Sequence, residues 1–249
     1  MLKRFIIEAV VDSLDAALAA EAAGADRLEL CSGLDLGGLT PGGGLLASVC
    51  AAVQIPVHVL LRTRGGDFLC SESEFETLLV ETEAAREMGA AGIVVGILLP
   101  DGRIDVSRMR ILVQAAAPMP VTFHRAFDRV TNRESGLADL LQTGCNRLLA
   151  SGLAGSAVEG AETLAWLQKN LGERLIVMPG GGVTADNVRG IAKTTGAVEF
   201  HLSAIRQEPS KMTFQPAWQA HDQPKTWVPA PEKVAALRTV LTEYFTEKR

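Results

Sequence analysis

Seven polar or charged residues interrupt short apolar runs in this chain. They are Glu8 in FIIEAVV (5–11), Glu29 in RLELC (27–31), Arg62 in VHVLLR (57–62), His124 in VTFHR (121–125), Ser151 in RLLASG (147–152), and Glu199 and His201 in AVEFHLS (197–203). A strand buried on both faces ordinarily reads as a near-continuous run of Val, Ile and Leu. A charge placed there is costly unless it is paired. Its repetition near the same end of successive runs points to a polar site built inside a fold. Glu8, Glu29 and His124 are the candidate acid–base groups, because crowded carboxylates push one pKa upward. Arg62, Arg64 and Asp67 in RTRGGDF gather two guanidinium groups, flexible backbone and a carboxylate, which suits an anionic ligand. Gly180 and Gly181 in MPGGGVT precede a helical pattern, where bare amides can serve the same purpose. Arg125, Ser151, Glu199 and His201 complete the candidate substrate-binding set. His124 and His201 with Glu8 and Glu29 equally suit a hard or borderline divalent metal. Any one of these residues could be half of a structural ion pair; the group together favours a site.

The runs alternate with helical patterns. Strands are expected at 5–11, 27–31, 57–62, 92–98, 120–126, 147–151, 174–179 and 197–203. Ser71 with Glu74, Thr131 with Glu134 and Ser156 with Glu159 read as capping boxes, and Pro41 suits a first helical position. The even strands are each announced by a tetrapeptide with glycine second: Ala23-Gly24-Ala25-Asp26, Met88-Gly89-Ala90-Ala91, Thr143-Gly144-Cys145-Asn146 and Thr195-Gly196-Ala197-Val198. Each glycine fits a left-handed helix terminus. Eight βα units with this repeat predict an α/β fold, a single closed (β/α)8 TIM-like barrel. A doubly wound sheet would want a glycine-rich loop after its first strand, and EAVVDS lacks one. Period-two alternation turns Arg27, Glu29, His58, Arg62, Thr122, His124, Glu199 and His201 into the barrel. Residues 205–230, with four prolines, read as a long loop over the mouth, and 231–247 as the closing helix of one domain spanning 1–249.

The 249 residues carry a net charge of −5 and no basic block, which argues against a nucleic-acid partner. Glu8 cuts the first apolar run too short for a signal peptide, and no stretch reaches membrane-spanning length. Cys31, Cys50, Cys70 and Cys145 are widely spaced, as in cytoplasmic proteins with free thiols. A small-molecule or metal ligand is expected, with a homo-oligomer as the assembly. No lysine sits late in a strand, so Schiff-base chemistry is not expected. GxSxG, HExxH, P-loop and CxxC motifs are absent.

With these motifs placed, the chain resembles the CutC family, named for copper homeostasis. The resemblance rests on GADRLELCSG (24–33), GGLTP (37–41), IPVHVLLRTRGGDF (55–68), VTFHRAFD (121–128), RLLASG (147–152), MPGGGVT (178–184) and EFHLSA (199–204). It implies a TIM-like barrel, a cytoplasmic location and copper(I) handling. Copper(I) prefers thiolates. Some relatives place cysteines at the ends of strands one and two; here Cys31 fills the second place and Val10 the first. The other thiol expected near the mouth is Cys70, where the family often has tyrosine. Thr63 stands where the motif usually reads proline. The copper reading therefore takes Cys31 as metal ligand, with Cys70 or His201 beside it. The polar cluster supports the alternative, an acid–base lyase, isomerase or hydrolase acting on a small anionic or sugar-like substrate.

Overall fold

Strand and helix alternate through residues 5–214 and 225–247, the part of the chain described by a computed structural model. The strands are β1 (Ile6–Val11), β2 (Arg27–Leu30), β3 (Val57–Leu60), β4 (Gly92–Val95), β5 (Val121–Phe123), β6 (Arg147–Ala150), β7 (Ile176–Pro179) and β8 (Glu199–Ser203). All neighbouring pairs are parallel, in the order β7-β6-β5-β4-β3-β2-β1-β8. β7 packs beside β8 to bring the ring together. The helices are α1 (Leu14–Ala22), α2 (Gly43–Ala52), α3 (Glu72–Glu87), α4 (Val106–Ala116), α5 (Arg133–Thr143), α6 (Ala161–Leu171), α7 (Ala185–Thr195) and α8 (Pro231–Glu247). The molecule is a TIM-like (β/α)8 barrel.

Strand parity separates two interiors. Ile7, Leu28, Val59, Ile93, Phe123 and Phe200 point outward and share one core with helix residues such as Leu112, Leu164 and Val234. The alternate residues point into the ring. Val10, Cys31, Leu60 and Val94 form a small apolar cluster of their own there, and charged residues occupy positions below them. Side chains that reach one another across a ring must be on its inner face.

The repeat glycines do what their spacing predicts. Gly24, Gly89, Gly144 and Gly196 have φ of +97°, +90°, +84° and +71°, a region that side-chain-bearing residues rarely enter. They end helices so that the next strand can start. Ser71 and Glu74 form the expected capping box. Three expected starts differ. α5 is capped by Asn132, whose side chain accepts from the Ser135 amide, and not by Thr131. α2 begins at Gly43 behind Gly42, so Pro41 lies outside it. Ser156 and Glu159 exchange bonds of 3.2 and 3.3 Å, but in the turn ahead of α6.

The connection after β8 is more ordered than expected. β9 (Ile205–Pro209) pairs antiparallel with β10 (Lys225–Pro229). Prolines at two strand ends hid this pattern; on a two-stranded ribbon they remove no interior ladder bond. Arg206 of the ribbon reaches Glu232 of α8 at 2.8 Å. Gln207 donates to Asp35 at 3.0 Å, which ties the ribbon to the β2–α2 connection. His221, Pro216 and Pro224 lie outside the described residues. Among the described residues, no helix is long and apolar enough to cross a membrane.

Candidate functional site

The base of the ring is a closed charge network. Arg27 of β2 pairs with Glu8 of β1 and, at 2.7 Å, with Glu199 of β8. Arg147 of β6 grips both oxygens of Glu199, at 2.6 and 3.1 Å. Burial alone would push both carboxyls up, but Arg27 and His201 outweigh it at Glu8, and Arg147 and Arg27 outweigh it at Glu199, so that each is held below the ordinary carboxylate range. Neither Glu8 nor Glu199 lines the cavity above. Of the expected acid–base groups, Glu29 and His124 face that cavity and Glu8 lies beneath it.

Next comes a half-satisfied group. His201 Nδ1 lies 2.8 Å from Glu8 Oε1. Burial disfavours the imidazolium, yet the Glu29 and Glu8 carboxylates raise its pKa above the ordinary histidine value. Glu29 stands beside it with no hydrogen-bond partner for Oε2. Burial is the main cause that pushes Glu29 up to about 7; Glu8 adds to this, while His201 and Arg27 oppose it. A carboxyl near 7 can take or give a proton at neutral pH.

His124 follows β5, three strands round the ring from Glu29. Its Nδ1 accepts the Ala126 amide at 3.2 Å, which leaves the proton of the neutral ring on Nε2. Burial, and then Arg62, lower its pKa to about 3. His124, Glu29 and His201 share a cavity of about 750 Å³ with an apolar waist that includes Val10, Leu60 and Leu149. That size suits a small metabolite.

Cations gather at the mouth. Arg125 is braced by Asp128 and Ser151, each at 2.9 Å, and Asp128 also holds the Ser151 amide. Nη1 of Arg125 makes no hydrogen bond among the described residues. A Cβ on Gly181 would come within 3.1 Å of Arg125 Cζ, and its φ is +92°; glycine is needed on both counts. Gly180 sits against Leu149 and His201 just below. Arg62 lines the cavity; its Nη1 and Nη2 donate to the carbonyls of Leu36, Gly38 and Gly66, at 3.0, 3.2 and 3.0 Å, its buried Nε has no hydrogen-bond partner among the described residues, and Phe68 lies under it at 4.8 Å. It shapes the wall. Arg64 turns outward to Glu74 and Asp67, both at 2.7 Å, and neither Arg64 nor Asp67 lines the cavity.

The two expected thiol ligands are not brought together. Cys31 lines the cavity, while Cys70 flanks a separate small hollow and lies 3.6 Å from the Ser71 carbonyl oxygen. Burial, helped by Glu29 and Asp12, drives the Cys31 thiol far up, away from the thiolate that binds copper(I). The donor atoms that do converge are harder: one each from Glu8, Glu29 and His201, all within 4.8 Å of one another. Arg27 bonded to Glu8 places a positive charge behind that group. Sequence reasoning missed Thr184 and Asp186 at the start of α7, and Glu232 and Lys233 at the start of α8, all of which line the mouth. The helix start after MPGGGVT could have flagged the first pair; nothing local marks the second.

The CutC family model matches residues 5–206. The chain belongs to the CutC family. A family protein CutC from Chromobacterium violaceum is 46% identical over 210 residues, 84% of this chain and 85% of that one. The human protein named copper homeostasis protein cutC homolog is also 46% identical, over 85% of this chain and 77% of its own. A solved CutC structure from Streptococcus agalactiae superposes with a TM-score of 0.75 at 28% identity, covering 79% of this chain and 97% of that one. A thiamine phosphate pyrophosphorylase from Pyrococcus furiosus, 13% identical with a TM-score of 0.60, covers 97% of this chain and 98% of its own and shares the fold alone.

Proposed function

We propose that this member of the CutC family is an enzyme performing acid–base chemistry on a small anionic metabolite at the barrel mouth. Glu29 carries the reading: a buried carboxyl, without a hydrogen-bond partner for Oε2, exposed to a cavity and titrating near 7. His201, steadied by Glu8, is its neighbour, and the two carboxylates raise its pKa above the ordinary histidine value. Arg125 and the Gly181 segment meet the anionic group of the substrate, and the apolar waist accepts its body. The reading needs no soft metal, and a cytoplasmic setting with small-molecule partners fits it. The test is thermal-shift and calorimetric screening of small sugar phosphates and hydroxy acids against wild type and Arg125→Ala. At least one compound should stabilise wild type and lose most of its effect in the variant. If none binds, the reading fails.

A second reading, copper handling, is supported by Cys31 in the cavity wall and by the name of the human relative. Cys31 would supply the single soft donor, with His201 as a borderline one lining the same cavity. An anaerobic copper(I) competition titration separates the two readings. Tight binding at one equivalent, lost in Cys31→Ala, supports copper as cargo. Weak binding unchanged by the substitution supports the enzyme.

A further inference from the structure

We infer that the substrate is a small anionic carbonyl compound, with His124 Nε2–H bound to its carbonyl oxygen and Glu29 acting as base toward the adjacent carbon. This rests on the acid–base reading above and adds the substrate class and the role of His124. The ring of His124 is fixed from three sides. Its Nδ1 is occupied by the Ala126 amide. Phe68 and Phe123 pack on it with centroids at 5.0 and 6.1 Å. Even a Cβ on Gly96 would stand 2.5 Å from Nδ1, so the ring cannot swing that way. What remains is a neutral imidazole that lines the cavity with one N–H to donate. Its surroundings keep it neutral: burial disfavours the charged ring, and the Arg62 guanidinium repels a positive charge there. A neutral, fixed donor is of little use as a general acid. It is well suited to a carbonyl oxygen on which negative charge develops.

The other half of the chemistry is a base without a competing partner. Glu8 is held by Arg27 and His201 and Glu199 by two arginines, so neither can serve. Glu29 can. In the proposed step a Glu29 oxygen takes a proton from the carbon beside the carbonyl. The C–H electron pair becomes the C=C bond of an enolate, and the carbonyl π pair moves onto oxygen, where the His124 N–H meets it. Once the Glu29 carboxyl has exchanged its proton with solvent, return of a proton to the same carbon completes an exchange; where that carbon bears a hydroxyl, passage of the hydroxyl proton to the former carbonyl oxygen and of the Glu29 proton to the former carbonyl carbon completes an isomerisation. No oxidant, reductant or second substrate is required. His201 lies beside Glu29 and, when protonated, favours the Glu29 carboxylate. Two-carboxylate glycoside chemistry is a poorer fit, because the second deeply buried acid, Glu8, is already committed.

The test uses pyruvate, hydroxypyruvate, dihydroxyacetone phosphate and glyceraldehyde 3-phosphate as probes in D2O, with proton NMR following loss of the C–H signal beside the carbonyl. Wild type should accelerate exchange of at least one probe. Glu29→Gln should abolish it, and His124→Gln should lower it about 100-fold or more. Exchange no faster than without protein for every probe, or undiminished in Glu29→Gln, overturns the inference. A second measurement, nitrogen NMR of the His124 ring, should show Nε2 protonated and Nδ1 bare from pH 8 to pH 5. A ring protonated on both nitrogens at pH 6 also overturns it. If a probe binds through Arg125 and Glu29 titrates near 7 without exchange, the carbonyl inference falls and the acid–base reading stands. If no probe binds and Glu29 titrates as an ordinary carboxyl, both fall.

Discussion

Glu199 and Glu29 are equally inaccessible, each 6% exposed, and both point into the same ring. Glu199 is clasped by two arginines. Glu29 lacks a partner for Oε2 and borders a cavity. Burial therefore does not distinguish the two carboxyls; the number of their partners does. The lower interior satisfies its charges and fixes the ring. The upper interior leaves one carboxyl strained, which is tolerable only because the rest of the barrel over-determines its position.

The sharpest way to break this comparison is to neutralise the two glutamates separately. Glu199→Gln should destabilise the protein by about 3–5 kcal/mol in denaturant unfolding, since Arg27 and Arg147 lose their shared counter-charge. Glu29→Gln should do the reverse at pH 8, with a gain on the order of 3 kcal/mol. The folded-state pKa of Glu29 lies above its unfolded value, so wild-type stability falls as pH rises from about 4.5 to about 7. The gain in the variant should thus disappear below pH 4.5. Equal losses in both variants would erase the distinction between the two regions.

The histidines sharpen it further. His201, raised above its ordinary value, contributes stability that is complete below pH 6.5 and lost as pH climbs through its folded-state pKa. His201→Gln should remove that alkaline slope. His124, lowered to about 3, should stay unprotonated in NMR titration down to pH 5. The smallest effect is expected outside the ring. Arg64→Ala breaks exposed pairs with Asp67 and Glu74 and should change stability by less than about 1 kcal/mol, with no effect on ligand binding at the mouth.

Much of this arrangement was legible in the residues. Strand parity identified the inward set, because a buried strand that alternates Leu with Arg or Glu has one reading in a barrel. The repeat glycines marked the helix ends, because only a left-handed terminus needs them. What parity could not supply was height along the ring and partner choice. Glu8, Glu29 and Glu199 look alike in sequence, yet the register pairs Glu8 with Arg27 and sets Glu29 level with His58 and Val10. Arg64 was expected beside Arg62, but a carboxylate cage drawn from its own loop and α3 turns it away. Lys233 and Glu232 entered from α8, far along the chain and without a motif. The ribbon of β9 and β10 was masked by prolines that sit at its ends.

The most direct measurement is a carbon NMR titration of the Glu29 carboxyl, assigned by comparison with Glu29→Gln. Protonation with a midpoint near 7 is predicted, because burial without a hydrogen bond to Oε2 outweighs what His201 and Arg27 offer the Glu29 charge. A midpoint at or below 4.5 would contradict the account, and would return the upper interior to the same structural role as the charge network beneath it.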